Sequence, residues 1–558
     1  MRRAALQSFG AIAVVVAVLA TTAWPATARP GAQSANRNVI VVLRAQSRAS
    51  GSHSGARLKA FAANRRAESS VIERARQNGA RNVHAYGLIG GFSATVSESA
   101  AIALARDPAV AHVFPDLRIS MGPSLRRQIA GAHGAAKAAP IASRASSAAI
   151  IGQICPSDPS MPLLEPEALG VTNTAFLDPS TPQAQHIVDG TGVKVAFIAD
   201  GLDINNPDFI RANGQHVFID YQDFSGDGTA APSGAAEAFG DASAIAAQGR
   251  QVYDLSNFVN PAHPLPPGCN ITVRGMAPGA SLIGLKVFGN ANVAPTSRFI
   301  EAIQYAVTAG ADVLNESFGA NPFPDSHTDP ITLADDAAVA AGVTVVASTG
   351  DAGTTGTIGS PSSDPNVIGV GASTTFQSYL QTTNAGAQLS NGQWVSNQIS
   401  GLSSGGTTQN ARTPDLIAPG DLGWALCTPD LSLYEECTTN SGNPSPIQNF
   451  GGTSQSSPLT AGAAALVIEA YENTHSGVRP TPDLVKRLLT GTATDLGHPA
   501  YEQGAGLLNS LAAVQAAESW QDGHGTSRMK PANFSRLESD SASACRRSTQ
   551  GITPSKFE

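Results

Sequence analysis

Between about residues 165 and 517 the sequence alternates short apolar runs with Ala-rich stretches of helical length, and this alternation restricts the fold more than any other feature. The runs include Val193-Lys194-Val195-Ala196-Phe197-Ile198, Ser281-Leu282-Ile283-Gly284-Leu285-Lys286-Val287, Ala311-Asp312-Val313-Leu314-Asn315 and Val343-Thr344-Val345-Val346-Ala347-Ser348. A strand with one wet face alternates apolar and polar residues; near-continuous apolar strands are covered on both faces. The expected fold is therefore α/β, a parallel sheet with helices on both faces, with the chemistry at the carboxyl ends of the strands.

Upstream, residues 38–118 read as a small α+β module. Strand signals at Asn38–Leu43, Gly87–Val96 and Val110–Asp116 are separated by helical patterns at Lys59–Arg76 and Glu98–Arg106. Residues 119–164, rich in Ala, Ser and Pro, read as a linker and processing region. Residues 518–558 form a polar tail. At the start, Met1-Arg2-Arg3, the apolar stretch Ala11–Ala20 and Ala26-Thr27-Ala28 make residues 1–28 a secretory signal. The apolar stretch is shorter than the ~20 residues a membrane span needs. The expected product is secreted, monomeric and free of the membrane once the signal is removed.

A net charge of −8 gives no general attraction to nucleic acid, and the pairs Arg65-Arg66, Arg126-Arg127 and Arg546-Arg547 are isolated. The five cysteines fit an oxidising compartment. Cys427 and Cys437 bracket a short loop and can pair; Cys155 with Cys269 is a second pairing, which leaves Cys545 over. No CxxC pair or Cys/His cluster has metal-ligand spacing, so neither a metal nor an organic cofactor is expected.

The residues Phe450-Gly451-Gly452-Thr453-Ser454-Gln455-Ser456-Ser457-Pro458 precede an apolar helix pattern. A small-residue turn there holds a hydroxyl at the positive end of a helix, beside free backbone N–H groups, which suits an acyl-transfer nucleophile. Read alone, the same residues also fit an ordinary helix N-cap. The segment GGTSQSSPLTAG resembles the nucleophile motif of subtilases, and further landmarks follow that family's order. These are GTGVKVAFIADGLDINNPDF (190–209), VRGMAPGASLIGLKVF (273–288), LNESFG (314–319), VVASTGDAGTTG (345–356) and RTPDLIAPG (412–420). Within 38–118, GGFSATVS and VAHVFPD resemble the inhibitory propeptide of subtilisin-like precursors. The resemblance implies a precursor of a serine endopeptidase acting on protein or peptide substrates, with Ser454 as nucleophile, Ser317, Phe318 and Gly319 at the substrate edge, and its own propeptide as intramolecular inhibitor.

Two family positions differ. Ala199 stands where the family carries its aspartate, and Asp200, one residue on, points to the opposite side of a strand. The histidine motif is replaced by Glu237-Ala238-Phe239-Gly240-Asp241, which puts Glu237 at the histidine position. Residues at i and i+4 share a helix face, so Glu237 and Asp241 are neighbours, and two carboxylates so placed resist double ionisation. The arrangement resembles the Ser-Glu-Asp site of sedolisins. So does Asp351 in STGDAG, which stands where subtilisins carry the oxyanion asparagine and donates a hydrogen bond only when protonated. The expected working range is about pH 3–5. The propeptide and residues 492–514 follow the subtilisin pattern, with no sedolisin-type calcium loop. Two other histidines are poor bases: His524 lies in the polar tail and His263 in a Pro-rich loop. The rival reading is a catalytically inactive binding protein on the subtilase fold; the intact Ser454 motif and the propeptide oppose it.

Overall fold

The structure, a computed structural model, describes residues 36–47, 54–121, 154–262, 264–319, 329–382, 396–408, 410–439 and 441–521. The signal expected at 1–28, the central linker, His263, His524 and Cys545 lie outside the described residues.

The N-terminal module contains strands β1 (Arg37–Leu43), β2 (Arg81–Tyr86), β3 (Gly91–Val96) and β4 (Val110–Pro115), with helices α1 (Ser54–Gln77) and α2 (Glu98–Arg106). The strands form one antiparallel sheet in the order β2-β3-β1-β4. One strand more than the sequence suggested is present: Arg81-Asn82-Val83-His84-Ala85-Tyr86 is too polar to stand out, and it pairs only along the β3 edge. Residues of β1 alternate between two cores. Val39, Val41 and Leu43 pack beneath the module's own helices, whereas Ile40 and Val42 pack with Tyr86, Leu88 and Ile89 against the larger domain.

That domain is built on seven parallel strands: β5 (Lys194–Ala199), β6 (Phe218–Asp223), β7 (Ser281–Lys286), β8 (Val313–Glu316), β9 (Thr344–Ser348), β10 (Ile368–Ser373) and β11 (Leu416–Pro419). Their order across the sheet is β11-β10-β9-β8-β5-β7-β6. Side chains of β5 again divide. Val195, Phe197 and Ala199 belong to the core beneath α3 (Glu237–Ala246), α6 (Thr453–Thr474), α7 (Pro482–Gly491) and α8 (Ser510–Glu518). Ala196 and Ile198 belong to the core beneath α4 (Thr296–Ala309) and α5 (Pro330–Ala340). Both faces are thus covered, the condition that makes these strands apolar throughout.

Cys155 is bonded to Cys269 and Cys427 to Cys437. The first bridge, with a short strand at Leu163–Glu165, folds residues 154–165 into the domain rather than leaving them as linker. The other end of the expected linker is also ordered. Arg118–Ser120 adds antiparallel to Val293–Pro295, Thr296 N–H donates to Leu117 O at 2.8 Å and Met121 N–H to Asn292 O at 2.9 Å. The preceding Asp116 caps α4, accepting Ser297 N–H at 2.9 Å and Ser297 Oγ–H at 2.8 Å.

Candidate active site

The nucleophile candidate sits at the second residue of α6. The helix starts at Gly452, whose φ of +87° is open to glycine and strained for other residues; a Cβ there would also lie 2.4 Å from Asp351 Oδ2. Ser454 is half-buried, while the rest of the first turn is buried. Pro458 has no N–H to return to the carbonyl four residues back, which frees Ser454 O. Ser317 Oγ lies 3.2 Å from that oxygen.

α3 packs against α6 and presents two acids. Glu237 opens the helix, half-buried, and Asp241 follows one turn later with no exposure. Ser454 Oγ–H donates to Ser317 O at 3.3 Å, and the Ser454 hydroxyl is near enough to Glu237 to favour its ionised form. Among the described residues Glu237 Oε1 and Asp241 Oδ2 are buried without a hydrogen-bond donor. Two neighbouring carboxylates one helical turn apart resist double ionisation, so the pair tends to hold one proton. Burial drives the Glu237 pKa well above its ordinary value, with repulsion from Asp241 next; the neighbouring Ser454 hydroxyl opposes the rise. Burial does the same to Asp241, opposed by a hydrogen bond from Ser317.

Behind this couple runs a one-way chain of donors. Ser457 Oγ–H donates to Asn315 Oδ1 at 2.7 Å, Asn315 Nδ2–H to Ser317 Oγ at 2.9 Å, and Ser317 Oγ–H to Asp241 Oδ1 at 2.7 Å. Ser317, Phe318 and Gly319 therefore do not act alike. The Ser317 hydroxyl faces the acids and not a substrate cleft. The Phe318 ring turns into the core against Phe288 and Phe299, at centroid distances of 6.4 and 4.4 Å. Only backbone remains there to face a cleft, and a Cβ on Gly319 would come 3.1 Å from Ser360 O.

Asp351 stands beside the start of α6. Its Oδ1 accepts Thr453 N–H at 2.8 Å and Thr453 Oγ–H at 2.9 Å, while Thr453 Oγ accepts Gly350 N–H at 3.0 Å. Asp351 is exposed as a residue, yet its carboxyl is partly desolvated against the start of α6, and this raises its pKa against the pull of those two bonds. Because Oδ1 is used as an acceptor, Oδ2, over Gly452, is the oxygen able to carry a proton.

Ala199 is buried in the core below α3. Asp200 touches none of the three reacting side chains, but its carboxylate accepts Ala238 N–H at 2.7 Å and Ser233 Oγ–H at 2.6 Å. Burial pushes its pKa up to about 6. Among the described residues no histidine is hydrogen-bonded to Glu237, Asp241 or Ser454. Sequence reasoning missed Asn315, Thr453 and the edge Val293–Pro295, and it gave Asp200 no role. Asn315 and Thr453 lie inside quoted motifs, close in sequence to Ser317 and Ser454, and that proximity was the available signal; the role of Asp200 and the edge become visible only in three dimensions.

Comparison with known proteins supplies the family. The profile described as peptidase inhibitor I9 matches residues 38–121. The chain is 30% identical to subtilisin DY of Bacillus licheniformis over 44% of its own length and 71% of that protein's. It is 30% identical to subtilisin E of Bacillus subtilis over 58% of its own length and 66% of that protein's. Fervidolysin from Fervidobacterium pennivorans, whose structure is described as that of a keratinolytic enzyme related to subtilisin, superposes with a TM-score of 0.53. At 18% identity, covering 88% of this chain and 62% of that one, it supports the fold. The subtilase profile matches residues 190–506, more than half of the sequence and the whole stretch from β5 to the residues before α8; with its large parallel sheet, its motif order and an I9 segment in front, the chain belongs to the subtilase family of serine endopeptidases.

Proposed function

We propose that this subtilase is a secreted, acid-active endopeptidase whose general base is the carboxylate Glu237, in the manner of sedolisins. The observation that carries this reading is the placement of Glu237 at the start of α3, which packs against α6 where Ser454 sits, with Asp241 buried one helical turn behind. Ser454 Oγ attacks the carbonyl carbon of the scissile peptide as its proton passes to Glu237. Asp241, held by Ser317, orients Glu237 and shares that proton. Protonated Asp351 donates to the oxygen that takes up the negative charge. When the tetrahedral intermediate collapses, Glu237 returns the proton to the leaving amine. Water then attacks the acyl-enzyme, giving a proton to Glu237, and as the C–O bond breaks Glu237 passes that proton to Ser454 Oγ, which regenerates the serine and the carboxylate.

The substrates are proteins or peptides, laid beside Val293–Pro295 as the propeptide's own Arg118–Ser120 is. That placement supports the propeptide as an intramolecular inhibitor which must leave before substrate enters. Secretion is inferred from the signal pattern in residues 1–28.

The test is a serine-directed fluorophosphonate probe applied to the processed enzyme at pH 4 and pH 7, alongside a pH profile on denatured protein. Labelling of Ser454 at pH 4, lost in Glu237→Gln, is expected. An activity maximum at pH 7–8, or full labelling of Glu237→Gln, would overturn the carboxylate base; no labelling at either pH would favour an inactive protein.

A further inference from the structure

We propose that Asp200 is a positioning residue for the acid couple: from the end of β5 it caps the helix that carries Glu237 and Asp241, fixing Glu237 at reacting distance from Ser454. The proposal rests on the carboxylate-base reading above. It does not follow from the family pattern, because the family's aspartate position is Ala199, whose methyl group packs in the core.

α3 needs such a cap. Its N-cap residue is Ala236, which has no side-chain oxygen, and no side chain of the flanking residue caps the helix. The first turn of a helix leaves backbone N–H groups without partners, and burying one unpaired is unfavourable. Ala238 is such a residue, with no exposure, and its N–H is met by Asp200 Oδ1 at 2.7 Å across 38 residues of sequence. The second oxygen is not free to drift. Ser233 Oγ–H donates to Oδ2 at 2.6 Å and itself accepts Gly201 N–H at 3.1 Å, while Ser233 N–H is tied to Leu433 O at 2.7 Å. Asp200 is thus clamped between the central sheet and the segment before α3, 1% exposed. It fastens the backbone one residue beyond Glu237. A helix start free to fray would let Glu237 move away from Ser454, and misplacement of a reacting group by ~1 Å can cost about a hundredfold in rate.

The experiment compares Asp200→Ala with Asp200→Asn in the processed enzyme at the pH optimum, well below each variant's Tm. Asparagine keeps an Oδ1 acceptor for Ala238 N–H; alanine removes it. Asp200→Ala is expected to lower kcat about 10- to 100-fold while KM stays within about twofold, and Asp200→Asn to recover most of the loss. A folded Asp200→Ala with wild-type kcat would overturn the proposal, as would an Asp200→Asn no better than alanine. If Asp200→Ala does not fold, Ser233→Ala serves: it releases one of the two anchors and should lower kcat by a smaller factor with KM unchanged, and a wild-type kcat there also overturns the idea. Glu237→Gln in the same series separates the two readings. An active Glu237→Gln removes the carboxylate base itself, whereas an inactive Glu237→Gln beside a fully active Asp200→Ala removes only the role of Asp200.

Discussion

Ser317 Oγ–H donates to Asp241 Oδ1 at 2.7 Å from the strand edge next to β8, and it can do so because Asn315 Nδ2–H already occupies the hydroxyl's acceptor side at 2.9 Å. The direction of that bond matters for the chemistry. With Oδ1 committed as an acceptor, the proton shared by the acid couple must lie on Asp241 Oδ2 or on Glu237, on the side facing Ser454.

Replacing Ser317 by alanine removes a charge-assisted donor worth about 1.5–3 kcal/mol and leaves Asp241 Oδ1 buried without a partner. We expect kcat/KM to fall about 10- to 100-fold at the optimum. The hydrogen bond from Ser317 lowers the Asp241 pKa. Its loss therefore raises that pKa, and the acid limb of the pH profile moves to higher pH. Ser317→Thr, which keeps the hydroxyl, should lie between the two. An unmoved acid limb in Ser317→Ala would show that Asp241 does not share in the proton transfer.

Asp351→Asn tests the oxyanion donor separately from the base. Asparagine donates a hydrogen bond at any pH, whereas the carboxyl loses that ability once it ionises. Desolvation of the carboxyl raises the Asp351 pKa, so the native donor persists to higher pH than a free carboxyl would and fails once it ionises. The variant should keep activity at pH 4 within a few-fold of wild type and extend the basic limb upward. A pH profile with an unchanged basic limb would assign that limb to the Glu237–Asp241 couple alone.

The sheet was legible because its strands are apolar on both faces, a pattern that needs only the amino-acid order to be seen. The acid pair was legible because four residues make one helical turn, so Glu237 and Asp241 needed no tertiary information to become neighbours. Asp200 was different. Strand alternation directs it away from the side of Ala199, and nothing local reveals that the helix starting at Glu237 has as its N-cap an alanine, whose side chain cannot cap it. Ser317 was placed at the substrate edge by its motif, and the hydroxyl's turn toward Asp241 depends on Asn315, which meets it from β8 and is itself held by Ser457 of α6. Local patterns carry elements and neighbours along one element; hydrogen bonds between elements come from the packing.

The interior also predicts how stability responds to pH. Glu316, on β8, and Asp335, on α5, are buried without exposure, and among the described residues their four carboxyl oxygens have no hydrogen-bond partner beyond each other. Burial pushes Glu316 from its ordinary 4.5 up to about 8, and Asp335 rises well above its own usual range through burial and then repulsion from Glu316. Asp364 and Asp329 add negative charge nearby. A raised acid pKa means that the folded state holds more protons than the unfolded chain between pH 4.5 and about 8. Stability is therefore fully present below that window and declines as pH rises through it, by about 1.4 kcal/mol per pH unit for each extra proton held. Thermal unfolding at pH 4, 6 and 8 should give a steadily falling Tm, and Glu316→Gln with Asp335→Asn should flatten the slope. A Tm that rises toward pH 8 would contradict the assignment.

The two disulfides separate chain entropy from local packing. Cys427–Cys437 closes a loop with a sequence separation of 10 and Cys155–Cys269 one of 114, and all four cysteines are buried. If the bridges act by restricting the unfolded chain, their contributions are about 3 and about 5 kcal/mol respectively. Replacing Cys155 and Cys269 by serine should then lower the urea midpoint more than replacing Cys427 and Cys437. The long bridge has a second consequence, because Cys155 anchors the chain within the expected processing region, residues 119–164. Cleavage within residues 122–153 leaves the new N-terminal segment tied to the domain, and loss of the bridge should expose it to further trimming, visible by mass spectrometry of the matured protein. Equal losses from the two pairs of substitutions would instead point to packing around Cys427 and Cys437 as the dominant effect, since loop length alone favours the longer bridge.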